Sequence, residues 1–169
     1  MIPATAVIRL DTPARRHLLN GTTMSQYFDM DGETLWNPSN KAARMFQHHV
    51  AFFEAELGLS SGIGPMENDE CRMDPAVFET FVKALLALRR RTSHAVLLAL
   101  SEGFTATVLV LAERAGIRVD WTQLGADLEG PLEDVHVCAV TGMSAPVEGG
   151  AWGAGLRDKA QELGRRMPR

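Results

Sequence analysis

The stretch from Thr92-Ser93 to Ala115 constrains this chain more than any other, because it is apolar on nearly every side. Gly116 follows it in the position that closes a helix. A helix without a polar face needs neighbours all round, so this one is expected at the centre of the fold. Its length admits a second reading, since His94 to Ala112 is nineteen residues, about enough to cross a bilayer. Glu102 lies in mid-stretch beside Gly103, with Ser101, Thr105 and Thr107 nearby. A carboxylate there costs roughly 2.5–3.5 kcal/mol on insertion scales. A buried core helix, with no membrane association, is the expectation.

Two upstream helices supply the partners. The first starts at Asn37-Pro38-Ser39-Asn40, where Asn37 or Ser39 can cap free N–H groups, and Gly58 is placed to end it. Ala42, Phe46, Val50, Phe53 and Leu57 recur along it at helical spacing. The second opens at Asp74-Pro75, an N-cap followed by proline at the first helical position. Phe78, Phe81, Val82, Leu85 and Leu88 form its buried stripe, and Arg89-Arg90-Arg91 close it, where cations offset the helix dipole. Ahead of both, Tyr27 to Met30, Asp31-Gly32 and Glu33 to Trp36 read as a β-hairpin, the Asp-Gly pair supplying positive φ for a tight turn.

The fold class expected is mainly α: a three-helix core, a small N-terminal β-hairpin packed across it, and a loosely ordered C-terminal tail carrying a short helix. Residues 1–23 form a leader without a folding unit of their own, and 24–121 a single globular domain. Residues 122–155, rich in Gly, Ala, Pro and acid, read as a flexible linker, with one weak strand around Val135–Cys138. Residues 156–167 form an amphipathic helix whose apolar face is Leu156, Ala160, Leu163 and Met167, marginal unless it docks.

A net charge of −4 over 169 residues argues against nucleic-acid binding, which needs a clustered basic face. Two cysteines, Cys71 and Cys138, make no disulfide scaffold, and residues 1–10 lack the pattern of a secretory signal. A reducing, cytoplasmic location is the expectation.

Chemistry is concentrated in the loop Gly62-Ile63-Gly64-Pro65-Met66-Glu67-Asn68-Asp69-Glu70-Cys71 between the first two helices. Its carboxylates miss the spacing of a calcium loop, so solvated or capping roles are expected and no metal site is assigned. Its glycines lack the lysine and strand-to-helix context of a phosphate cradle, and read as a turn. Cys71 precedes a helix N-terminus, which lowers a thiol pKa, but Glu67, Asp69 and Glu70 oppose that. Adjacent His48 and His49 point about 100° apart, so a buried, hydrogen-bonded His49 and a surface His48 are expected. Glu102 and His94 share related faces of the apolar helix and need polar partners if buried.

The segment from Met24 to about Trp121 resembles a family of small uncharacterised actinobacterial proteins. The likeness is carried by Tyr27-Phe28-Asp29, Leu35-Trp36-Asn37-Pro38-Ser39-Asn40, Gly62 to Gly64-Pro65, and Asn68-Asp69-Glu70-Cys71 before Asp74-Pro75. His94 and Gly103-Phe104 complete it. Both tails lie outside. The resemblance implies no activity and no cofactor, but it does imply that hairpin, helix start and acidic loop form one unit. Trp36, Asn37, Asn68, Asp69 and Glu70 are then the candidate functional surface, with His94 as a further binding candidate.

The leading expectation is a non-catalytic cytoplasmic protein-interaction module, immunity-like, antitoxin-like or regulatory, whose acidic loop meets a basic protein partner. The alternative is a metal-dependent or small-ligand-binding enzyme with its site between the acidic loop and the starts of the first and third helices. There Asp69 or Glu70 would act as base or ligand, His94 as ligand or acid, and Cys71 as nucleophile.

Overall fold

The computed structural model of the chain describes residues 25–92, 95–119 and 151–169. The leader, His94, Cys138 and the strand expected near it lie outside the described residues. In chain order the elements are β1 (Tyr27–Met30), β2 (Glu33–Trp36), α1 (Asn40–Leu57), β3 (Glu70–Arg72), α2 (Pro75–Arg91), α3 (Ala95–Arg114) and α4 (Ala151–Arg166). The fold is mainly helical with a small sheet at its N-terminal end, as expected.

The hairpin turns at Asp31 and Gly32, both at positive φ (51° and 84°). It is not alone. β3 pairs in parallel with β1, giving the order β2-β1-β3 with β1 in the centre. The third strand comes from the acidic loop, which carries no period-two apolar pattern to announce it. Only Cys71 of Glu70-Cys71-Arg72 faces the core.

Both capping assignments hold. The Ser39 side chain accepts from the Ala42 N–H at the start of α1, and Gly58 ends that helix at φ 63°. Asp74 accepts from Val77 N–H at 3.0 Å, with Pro75 inside the first turn of α2. The α1 stripe is Ala43, Phe46, Val50 and Phe53, with Ala42 exposed and Leu57 partly buried. That of α2 is Phe78, Phe81, Val82, Leu85 and Leu86, and Arg89 joins the buried side. An aromatic chain ties sheet to helices. Phe28 stacks on Trp36 at 5.2 Å, Phe46 meets both rings edge-on, and Phe53 lies flat against Phe104 of α3 at 4.7 Å. Such ring pairs add about 0.5–1.5 kcal/mol each beyond the area they bury.

The expected C-terminal helix is present. It begins at Ala151 and docks on α3, burying Leu156 and Ala160 with Leu163 and Met167 partly covered. Lys159 pairs with Glu102 at 3.1 Å, and the Arg114 guanidinium donates to the Gly164 and Met167 carbonyls at 2.9 and 2.7 Å. The two helices therefore run in the same direction. Arg114 also donates to the Leu35 carbonyl of β2 at 2.6 Å, and Asn37 N–H donates to Pro168 O at 3.1 Å, so the end of the chain is fastened to the sheet.

The expectation for α3 holds over half its length. From Phe104 to Ala112 every residue but the half-covered Thr107 is buried, between β2, α1, α2 and α4. From Val96 to Leu100 no residue is buried, and Leu100 is 73% exposed. The run Val96–Arg114 is long and apolar enough to cross a membrane, and 44% of that window is buried inside the fold.

Candidate functional site

The acidic loop is a second, smaller hairpin. Gly64 N–H donates to Arg72 O at 2.9 Å, Ile63 bridges Met73, and Glu67 and Glu70 exchange backbone hydrogen bonds at 2.8 and 2.9 Å. Between them Asn68 and Asp69 take φ of 51° and 68°, the pair of positive values of a type I′ turn. Asn and Asp tolerate that conformation better than other side-chain-bearing residues, so turn geometry accounts for both. The glycines have structural work too. A Cβ on Gly62 would lie 2.8 Å from Phe78 N, and one on Gly64 2.8 Å from Arg72 O. They let the hairpin lie against the start of α2 and against its own partner strand.

The sequence-derived candidates thus separate. Trp36 is a core residue, 8% exposed between Phe28 and Phe46, because its strand position faces α1; it is not part of an open surface. Asn37 is half-buried and holds the C-terminal Pro168 carbonyl through its backbone. Asn68 and Glu70 are exposed at the hairpin tip with Glu67, and line a shallow polar hollow of about 450 Å³ with Gly64, Pro65 and Arg72. Asp69 is half-covered, and its carbonyl accepts from Tyr27 N–H at 2.8 Å.

Cys71 is fully buried, and its thiol donates to Gly64 O at 3.1 Å. Burial, helped by the charge of Asp29, pushes its pKa up to about 12, so it is a protonated core thiol and not a nucleophile. Among the described residues no three His, Cys, Asp or Glu side chains gather where a metal could be held. His49 is half-buried, its Nδ1–H donates to Met45 O at 2.8 Å, and its ring stacks on Phe104; His48 is exposed.

A different site lies on the helices. Phe52, Phe53 and His49 of α1, Leu85, Leu88 and Arg89 of α2, and Leu97, Leu100, Ser101 and Thr105 of α3 line a cleft of about 540 Å³. Its walls are mainly apolar, and Phe52 (56% exposed), Leu97 (47%) and Leu100 present them to solvent. Arg89, a residue only 7% exposed, contributes a guanidinium whose Nη1 donates to Ser101 Oγ at 2.6 Å and Leu98 O at 3.0 Å. Burial lowers its pKa, and the opposing field of Glu102 does not offset that. Volume, apolar walls and a few converging polar groups are what small-molecule sites combine.

Sequence reasoning passed over this cleft. Its signals were two: Phe52, an apolar residue outside the α1 stripe, and an α3 apolar on nearly every side.

A model for the family of unknown function DUF6086 matches residues 24–169. The chain belongs to that family. The DUF6086 match runs on through α4, which corrects the expectation that both tails lie outside the shared unit; only the leader does. This agrees with the docking of α4 and the Arg114 clamp. No curated protein and no solved structure matches the chain.

Proposed function

We propose that this protein is a non-catalytic binding protein and that the cleft between α1, α2 and α3 holds what it binds. The observation that carries the reading is the apolar face that Phe52, Leu97 and Leu100 turn to solvent around a cleft of about 540 Å³. Apolar side chains gathered on one concave surface mark binding sites, whereas scattered ones need no explanation. The test is a neutral hydrophobic dye, Nile red, titrated against the protein and its Leu97→Gln/Leu100→Gln variant. Both substituted residues are exposed, so the variant keeps its melting temperature within a few degrees. Dye fluorescence rises with the parent and not with the variant; equal signals from two folded proteins would remove the reading.

The hairpin tip supports a second surface for the same class of function. Paired backbone hydrogen bonds hold Glu67 and Glu70 outward on a preorganised turn, and a basic protein partner fits that charge. Glu67→Gln, Asp69→Asn and Glu70→Gln together then slow association with that partner and leave dye binding in the cleft unchanged.

A further inference from the structure

The outer face of α1 carries a pattern that the inside of the fold does not explain. The core stripe of this helix, Ala43, Phe46, Val50 and Phe53, occupies one side. At about 100° per residue, Lys41, Met45, Phe52 and Glu56 fall within roughly 60° of one another on the side away from it. All four are exposed, Met45 by 64% and Phe52 by 56%. Two large apolar side chains two turns apart, with a charge beyond each, make a short seam of the kind that packs helix on helix.

The order of the charges says what the seam meets. Lys41 and Arg44 stand toward the N-terminal end and Glu56 at the C-terminal end, with no acid in the first turn and no base in the last. The helix dipole favours the opposite order, which α2 obeys by ending on Arg89, Arg90 and Arg91. Among the described ion pairs none involves Lys41, Arg44 or Glu56. Their placement serves neither the helix nor an ion pair within the described fold.

A second copy of α1 laid antiparallel answers each part of the pattern. Lys41 and Glu56 are mirror positions about a point between His48 and His49, and so are Met45 and Phe52, and Ala42 and Ala55. A two-fold axis through that point sets Lys41 of each copy against Glu56 of the other, and Met45 against Phe52. Arg44 then lies within a turn of the same carboxylate. Such self-complementarity is what an isologous contact requires. A parallel, in-register copy would set like charges together instead.

We propose that the chain forms a two-fold homodimer through the outer face of α1, with Met45–Phe52 contacts flanked by Lys41–Glu56 ion pairs. This surface touches the lining of the cleft at Phe52 and Glu56, but Lys41 and Met45 lie outside it. Dimerisation and ligand binding in the cleft are therefore separable by mutation.

Sedimentation equilibrium of the full chain, from micromolar to millimolar concentration, tests this. A monomer–dimer equilibrium is expected, and Met45→Glu, which places a charge in the seam, should leave a monomer. Lys41→Glu and Glu56→Lys each set like charges together at both ends of the seam. Each alone should weaken the dimer at least about tenfold, since every substitution counts twice under the two-fold axis. Mixed in equal amounts, these two variants should associate with each other, because each carries the charge the other lacks; a loss of folding could not produce that rescue. All three positions are exposed, so the variants keep their fold, which circular dichroism checks. A monomer at every concentration overturns the proposal. So does a dimer that Met45→Glu leaves intact, or a mixture of the charge variants no more associated than either alone. Nile red binding by the monomeric Met45→Glu variant reports on the cleft separately, and its absence would count against the cleft and not the dimer.

Discussion

The two halves of α3 are made of the same kinds of residue and have different fates. Phe104 to Ala112 is enclosed on all sides, while Val96 to Leu100 offers leucine and valine to water. Composition does not distinguish them; neighbours do. The C-terminal half has β2, α1, α2 and α4 around it, with α4 held by Arg114. The N-terminal half has α2 on one side and the cleft on another. Phe104, stacked on Phe53, marks the boundary. Hydrophobicity along a helix therefore reports a demand for cover, and the part of that demand the fold leaves unmet is where a binding surface is found.

The sharpest way to break this comparison is to shorten one leucine in each half. Leu111→Ala, at a fully buried position, should destabilise the protein by about 2–5 kcal/mol in chemical denaturation. Leu100→Ala should stay within about 0.5 kcal/mol. Similar losses at both positions would mean that the halves are equally packed.

Next in size is the clamp that gives the core half its fourth neighbour. Arg114→Ala removes donors to Leu35, Gly164 and Met167 carbonyls and should cost about 1.5–3 kcal/mol. Arg114→Lys should recover only part of this, since one ammonium cannot serve the same fork of acceptors. Proteolysis of the variant should release α4 first; cleavage elsewhere would contradict the clamp.

A smaller effect asks whether the core is as closed at its sheet end. Cys71 binds its proton more tightly folded (pKa about 12) than at its ordinary value of 9.0. The folded state thus holds the proton where the unfolded one has lost it. This contribution is complete below pH 9.0 and declines as pH rises from there toward about 12. Cys71→Ala should flatten that alkaline decline, and peptide mapping after thiol labelling at pH 8 should find Cys71 unmodified in the native protein. Labelling of Cys71 as fast as in urea would show an open core.

The smallest effect belongs to the Lys159–Glu102 pair near the boundary, whose side chains are 42% and 37% exposed. Lys159→Ala should cost about 0.2–1 kcal/mol, and less in high salt. A larger loss would assign the pair, and not the apolar contacts of Leu156 and Ala160, the main part in docking α4.

Much of the scaffold was legible in the sequence because its signals are local. Ser39, Gly58, Asp74-Pro75 and Asp31-Gly32 each act through the backbone of their own neighbours, and each lies where its chemistry demands. β3 was not legible, since a three-residue strand with one inward side chain has no period to read and its pairing with β1 is non-local. Nor was the position of α4: Leu156 and Ala160 show an apolar face, but nothing local says that α3 meets it. The acidic loop was read as a site because its residues are chemically rich, yet Asn68 and Asp69 are explained by positive φ and Trp36 by aromatic packing. The cleft escaped for the opposite reason, since its leucines and phenylalanines look like ordinary core until the helices are placed.

The most direct measurement of the central claim is hydrogen–deuterium exchange along α3, with and without Nile red. Without ligand, amides from Phe104 to Ala112 should exchange far more slowly than those from Leu98 to Ser101. Added Nile red should slow exchange in the second group and leave the first unchanged. Uniformly slow exchange along the helix, or a ligand effect spread over both halves, would contradict the division of α3 into a core half and a binding half.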